Sequence, residues 1–148
     1  MKVLLAIDGS RYSADAVEAM ATRPWPANTT IHVICVAELD QPLSVTRREG
    51  RTVGIELETL TKAARELTDL VVNSLETKGL SVTPVIPIGD PREAIVNEAK
   101  SWGADLIIIS AYGHSGVKRW QLGSVAESVV KYAPCSVEVV RKPSEEME

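Results

Sequence analysis

Phenylalanine is missing from this chain, and aromatic residues make up only 4% of it. Aliphatic side chains must therefore fill any core that forms. Cysteine is scarce: Cys35 sits inside an apolar run and Cys135 follows a proline just ahead of another. Two thiols so far apart make neither a metal motif nor a disulfide framework, and they read as small buried hydrophobes in a reducing compartment. No apolar run approaches the roughly 18 residues that a membrane span needs. The apolar start, Val3 to Ile7, stops at Asp8, too short for a signal-peptide core and without a cleavage site. A cytoplasmic protein is the expectation. Neither sign of charge dominates, with 16 basic against 20 acidic residues and a net charge of -4, so no basic stripe points to a nucleic-acid partner. Two phosphate-loop fingerprints are also missing. No glycine is followed by four residues and Gly-Lys-Ser/Thr, and only Asp8-Gly9-Ser10 follows the first apolar run, where a dinucleotide-binding G-x-G-x-x-G would stand.

What is present is an ordinary globular composition, 45% hydrophobic and 24% charged over 148 residues. That length suits one domain, expected over residues 1–142, with a flexible acidic tail at 143–148. Lys2 to Ile7 reads as a buried strand, and Ser13 to Ala21 as a helix that Ser10 or Ser13 caps. Trp25, between two prolines, reads as a lid over the core edge. Thr30 to Val36 is a second strand. The pattern then dissolves from Ala37 to Gly50, a loop that either covers a ligand or is simply solvated by its charges. From Arg51 to Lys78 runs a long helix with Leu57, Leu60, Ala64, Leu67, Leu70, Val71 and Leu75 on its apolar face. Gly79 is its C-cap candidate.

Ser81 to Ile88 is strand-like, but Pro84 and Pro87 have no N–H to donate, so this strand belongs at a sheet edge. Asp90-Pro91-Arg92-Glu93 is a helix start with cap and N1 proline, and Gly103 ends that helix. Leu106 to Ile109 is the next strand. Ser124 to Tyr132 is the last helix, opened by a capping box of Ser124 with Glu127, and Ser136 to Val140 is the last strand. Strict alternation of strand and helix predicts a parallel sheet with helices on both faces. The edge position of the third strand favours the flavodoxin-like order 3-2-1-4-5. Its switch point then lies between strands one and four.

Asp8-Gly9-Ser10 and the glycine-bearing loop Ser110 to Ser124 both fall at that point. The loop feeds a helix N-terminus, which suits a phosphate. Asp8 either caps the first helix or accepts a hydrogen bond from an adenine amine or a ribose hydroxyl, and the two roles are compatible. His114 reads as a ligand-loop residue, while His32 reads as a packed strand residue. Neither sits in an evident triad, so no catalytic residue is assigned. Asp90 and Asp105 have structural explanations, as a cap and a strand-start turn.

The segment G-H-S-G-V-K-R-W-Q-L-G-S-V-A-E-S-V-V-K-Y-A-P-C-S-V-E-V-V strongly resembles the C-terminal signature of the universal stress protein family. Gly89-Asp90-Pro91, Gly103-Ala104-Asp105-Leu106-Ile107 and the opening Val3 to Ser10 resemble that family as well. The resemblance implies a flavodoxin-like, adenine-nucleotide-hydrolase-like three-layer sandwich and a homodimer along the last strand. One branch of the family binds ATP through G-x-x-G-x9-G-[S/T]. Here Gly113, Gly123 and Ser124 match, and Ser110 replaces the first glycine. By similarity, adenine would lie near Asp8 and the main chain of Val36, and the phosphates along Gly113, Gly123 and Ser124. Ser110 would crowd the ligand or contact it through its hydroxyl. Lys118 and Arg119 would neutralise phosphate or face water, and Trp120 and Leu122 would pack the loop. The implied function is a regulatory or protective protein of the stress response that binds ATP, with Mg2+ as an optional companion and at most slow hydrolysis. The alternative is a dimeric interaction protein of the same fold without a nucleotide. Glu138 stands where the family's last strand is usually apolar. Such a charge either resists edge pairing or finds a cation across a dimer.

Overall fold

A computed structural model of the chain describes residues 1–38, 51–113 and 122–142, with 51–55 as helical backbone. The elements run β1 (Lys2–Ala6), α1 (Ser13–Ala21), β2 (Thr30–Ile34), α2 (Arg51–Glu76), β3 (Ser81–Val85), α3 (Pro91–Trp102), β4 (Leu106–Ser110), α4 (Ser124–Tyr132) and β5 (Ser136–Val140). All five strands pair in parallel in the order β3-β2-β1-β4-β5, as the sequence pattern predicts. The loop from 39 to 50, Lys118, Arg119, Trp120 and the tail 143–148 lie outside the described residues.

Alternation along each strand divides the aliphatic core into two layers. Val3, Leu5, Ile31, Val33 and Ile108 face one side, against Ala16 and Met20 of α1 and Ala64 and Leu75 of α2. Leu4, Ala6, Ile34, Ile107 and Ile109 face the other, against Ile95, Val96 and Ala99 of α3 and Val129 of α4. Trp25 packs on the edge of the first layer, its indole N–H donating to the Met20 carbonyl at 2.7 Å.

β3 lies at the edge, where Pro84 sits opposite Val33 and needs no partner on its outer side. The strands are shorter than the apolar runs that form them, yet pairing continues past β2 and β3. Cys35 N–H donates to the Val85 carbonyl at 3.0 Å and Ala37 N–H to the Pro87 carbonyl at 2.8 Å. α3 begins at the Asp90 cap, whose carboxylate accepts the Arg92 N–H at 2.9 Å, and ends at Gly103 with φ 77°. The Arg92 guanidinium also folds onto Asp90 and holds that carboxyl below its ordinary range, assisted by the backbone hydrogen bond. Asp105 accepts the Lys2 N–H at 2.8 Å and so ties β4 to the start of β1.

Three expectations are corrected. Leu70 is 70% exposed, and the buried positions of α2 are Ala64, Thr68, Val72 and Leu75. Thr68 is admitted because its hydroxyl binds the Ala64 and Arg65 carbonyls within the helix. The capping box of Ser124 with Glu127 does not form. Gly123 takes the cap position instead, its carbonyl accepting the Glu127 N–H at 2.9 Å, so Ser124 is the first helical residue. Glu138 needs no cation from a second chain: Arg23, just past α1, grips both its oxygens, with one contact at 2.9 Å, and that guanidinium lies 4.9 Å from the Trp25 ring centre.

His32 is a packed strand residue. Its ring stacks on Trp102 with centroids 3.5 Å apart, and its Nδ1 lies 3.2 Å from Glu98.

Candidate functional site

A cavity of about 750 Å³ lies at the C-terminal ends of β1 and β4. Six of the seven residues singled out from sequence line this cavity: Asp8, Val36, Ser110, Gly113, Gly123 and Ser124. The seventh, His114, lies outside the described residues.

Each lining residue is placed by a local device. Asp8 follows β1 and folds back on the chain. Its Oδ1 accepts the Ser10 N–H at 2.9 Å, and its own N–H meets Ser13 Oγ at 3.2 Å. Ser10 Oγ in turn accepts the Ser13 N–H at 3.2 Å. Ser10 and Asp8 thus shape the turn ahead of α1, but neither they nor Ser13 caps the helix, whose cap position is Tyr12 with no side-chain cap. Val36 sits between Cys35 and Ala37, whose N–H groups serve β3. Ladder alternation turns its own peptide groups the other way, towards the end of β1 and the cavity.

Ser110 closes β4 and is 7% exposed. Its hydroxyl donates to the Tyr112 carbonyl at 2.9 Å and accepts from the Tyr112 N–H at 3.3 Å. Ala111 then joins both sides of the site, its N–H donating to the Val140 carbonyl at 2.8 Å and its carbonyl accepting the Gly123 N–H at 2.7 Å. The loop that leaves at Ala111 thus returns to the same residue at Gly123. Leu122, beside it, is partly buried.

The glycines matter here through space rather than backbone freedom. Gly113 has no positive φ, but a Cβ added to it would stand 2.8 Å from Asp8 Oδ2. Gly123 has φ -60°, and a Cβ there would lie 3.2 Å from the Ala111 carbonyl oxygen and 3.5 Å from the Gly113 nitrogen. Ser110 also avoids positive φ, so a residue with a Cβ fits that backbone unstrained.

α4 opens beside these groups with no side-chain cap, its first turn facing the cavity through Ser124, Val125 and Ala126. Uncapped N–H groups at a helix start carry partial positive charge. An apolar wall comes from Leu60, Ala64 and Leu67 of α2 on one face of the sheet, and Ile95 of α3 adds apolar lining on the other. Sequence reasoning missed this wall as part of a site. Its signal, the apolar face of α2, reads in sequence only as core. Cys35 also lines the cavity, where burial and then the charge of Asp8 push its thiol up to about 11, so it stays neutral.

A pocket with one apolar wall, a carboxylate, main-chain groups and an open helix start invites comparison with known proteins. The profile of the Universal stress protein family matches residues 1–141. The chain belongs to the universal stress protein family.

Among curated members of the family, universal stress protein MJ0531 of Methanocaldococcus jannaschii is 32% identical over 145 residues, covering 98% of this chain and 84% of its own. Among solved structures, that of MJ0577, from the same organism, superposes with a TM-score of 0.85 at 27% identity, covering 97% of each chain. The universal stress protein family protein At3g01520 of Arabidopsis thaliana, solved with AMP bound, has a TM-score of 0.67 at 20% identity, covering 99% of this chain and 94% of its own. The last of these shows the fold alone. No described helix is long and apolar enough to cross a membrane.

Proposed function

We propose that this universal stress protein family member binds an adenine nucleotide, ATP, in the crevice between β1 and β4, and acts as a nucleotide-dependent regulatory or protective protein in the stress response. One observation carries the reading. Gly113 and Gly123 bring bare main chain together at the uncapped start of α4, directly beside the Asp8 carboxylate, in a cavity of about 750 Å³. That volume lies within the range of roughly 300–1,000 Å³ typical of small-molecule sites.

The chemistry divides along the cavity. The apolar wall and the peptide groups of Val36 suit a purine base, and Asp8 suits a donor from an amine or a ribose hydroxyl. The first-turn N–H groups of α4 suit phosphates, which bare glycine main chain lets approach closely. AMP in the Arabidopsis relative is a ligand of this class. Mg2+, where it accompanies ATP, would supply countercharge to the phosphates. Any turnover is at most slow, because the Ser110 hydroxyl is engaged with Tyr112 rather than free to act on a ligand. The protein acts in the cytoplasm as a homodimer through β5, whose own charge, Glu138, is already neutralised by Arg23.

The test is direct. The purified protein is denatured and the supernatant assayed for nucleotide, and stripped protein is titrated with ATP in a calorimeter. Released adenine nucleotide or a saturable heat is the expected outcome. Protein that is empty and gives no heat overturns the reading.

A further inference from the structure

Ser110 stands where the family's ATP-binding motif carries glycine, and the sequence alone leaves it either crowding a ligand or contacting it through the hydroxyl. Its contacts point to neither. The side chain is buried, and its hydroxyl spans both main-chain polar groups of Tyr112, donating to the carbonyl at 2.9 Å and accepting from the N–H at 3.3 Å. Both groups belong to the residue between Ala111, which anchors the loop, and Gly113, which must sit flat against Asp8. The Tyr112 ring is oriented too, edge-on to Tyr12 at 5.6 Å and 5.6 Å from the Arg141 guanidinium.

We propose that Ser110 is a positioning residue: its hydroxyl locks the Tyr112 main chain and so presets Gly113 beside Asp8 before the nucleotide arrives. The proposal rests on the nucleotide reading above. Two alternatives fail on the geometry. A hydroxyl already donating to Tyr112 has no proton left to donate to phosphate, so direct ligand contact is not its main role. A purely steric intruder would not need a partner on both sides. With glycine at 110, the Tyr112 main chain loses both hydrogen bonds and gains the freedom of a strand-end glycine, and ligand binding must then order that turn. Restoring the motif glycine therefore weakens binding. Ordering about one residue's backbone corresponds to about a tenfold loss of affinity.

The experiment compares Ser110→Gly, Ser110→Ala and Ser110→Thr with the parent protein. ATP affinity is measured by calorimetry, and exchange of the Tyr112 and Gly113 amides by NMR in nucleotide-free protein. The expected result is about tenfold weaker binding and faster Tyr112 exchange for the glycine and alanine variants. The threonine variant, which keeps the hydroxyl, should stay close to the parent in both. That rescue separates the hydroxyl's hold on Tyr112 from loss of general packing. Glycine or alanine variants that bind as tightly as the parent overturn the proposal, as does a threonine variant as weak as alanine. If the parent itself binds no nucleotide, the functional reading fails instead. The exchange measurement then still decides the hydroxyl's role, and unchanged Tyr112 exchange in Ser110→Ala overturns it.

Discussion

Replacing Gly113 with alanine tests the site's central contact. The new Cβ would stand 2.8 Å from Asp8 Oδ2, well inside the roughly 3.5 Å at which a carbon ceases to repel its neighbour. The carboxylate is the movable partner, so it rotates rather than the main chain shifting. Rotation takes Oδ1 away from the Ser10 N–H that it holds at 2.9 Å. One forfeited hydrogen bond and a displaced rotamer together cost about 1–2 kcal/mol of folding stability. Binding suffers more, because Asp8 leaves its position and the added methyl blocks the approach to the loop. Affinity for ATP should fall about tenfold or more. Urea unfolding followed by circular dichroism gives the stability change, and calorimetric titration with ATP gives the second. Gly113→Ala protein with unchanged unfolding midpoint and unchanged affinity would refute the contact between loop and carboxylate.

Further outcomes follow from neighbouring features. Gly123→Val should weaken ATP binding on the order of a hundredfold, since its Cβ already meets the Ala111 carbonyl at 3.2 Å and its methyl groups reach over the start of α4; unchanged calorimetric affinity would put the ligand elsewhere. A double-mutant cycle on Arg23→Ala and Glu138→Ala should give a coupling of about 0.5 kcal/mol, reduced by 0.5 M salt, because both side chains are one-third exposed. Zero coupling in urea denaturation would remove that pair as the reason Glu138 is tolerated in β5. Asp90→Ala should cost about 1 kcal/mol at pH 7 through the lost cap. Because the Asp90 pKa is lowered in the folded protein, its contribution is present above the ordinary carboxylate pKa of about 3.9 and disappears as pH falls through the lower folded value. Parent and variant stabilities should thus draw together as pH falls below the ordinary carboxylate range, and a gap that stays constant throughout that fall would contradict the assignment.

The sheet order was legible because two kinds of local signal agree with the global one. Continuous aliphatic runs mark strands buried on both faces, and the prolines at 84 and 87 exclude β3 from the middle. The location of the cavity followed from that order. What sequence concealed were choices between near-equivalent partners. Ser124 and Gly123 compete for one cap position, and the pull of Ala111 on the Gly123 N–H decides it. Thr68 and Leu70 compete for the buried side of α2, and helical angle outweighs hydrophobicity. The partner of Glu138 lies 115 positions away, in a turn whose arginine gives no periodic signal. At Ser110 the replacement of glycine is visible in sequence, but the direction of its hydroxyl, inward to Tyr112, appears only in three dimensions.

The bond from Gly123 N–H to the Ala111 carbonyl bears on how the loop tolerates insertion. It fastens the feet of the loop together at 2.7 Å, independently of what lies between them. Loop-closure entropy rises only with the logarithm of length, about 0.6 kcal/mol for each doubling. Insertions between Ala111 and Gly123 should therefore leave the register of β4 and α4 unchanged.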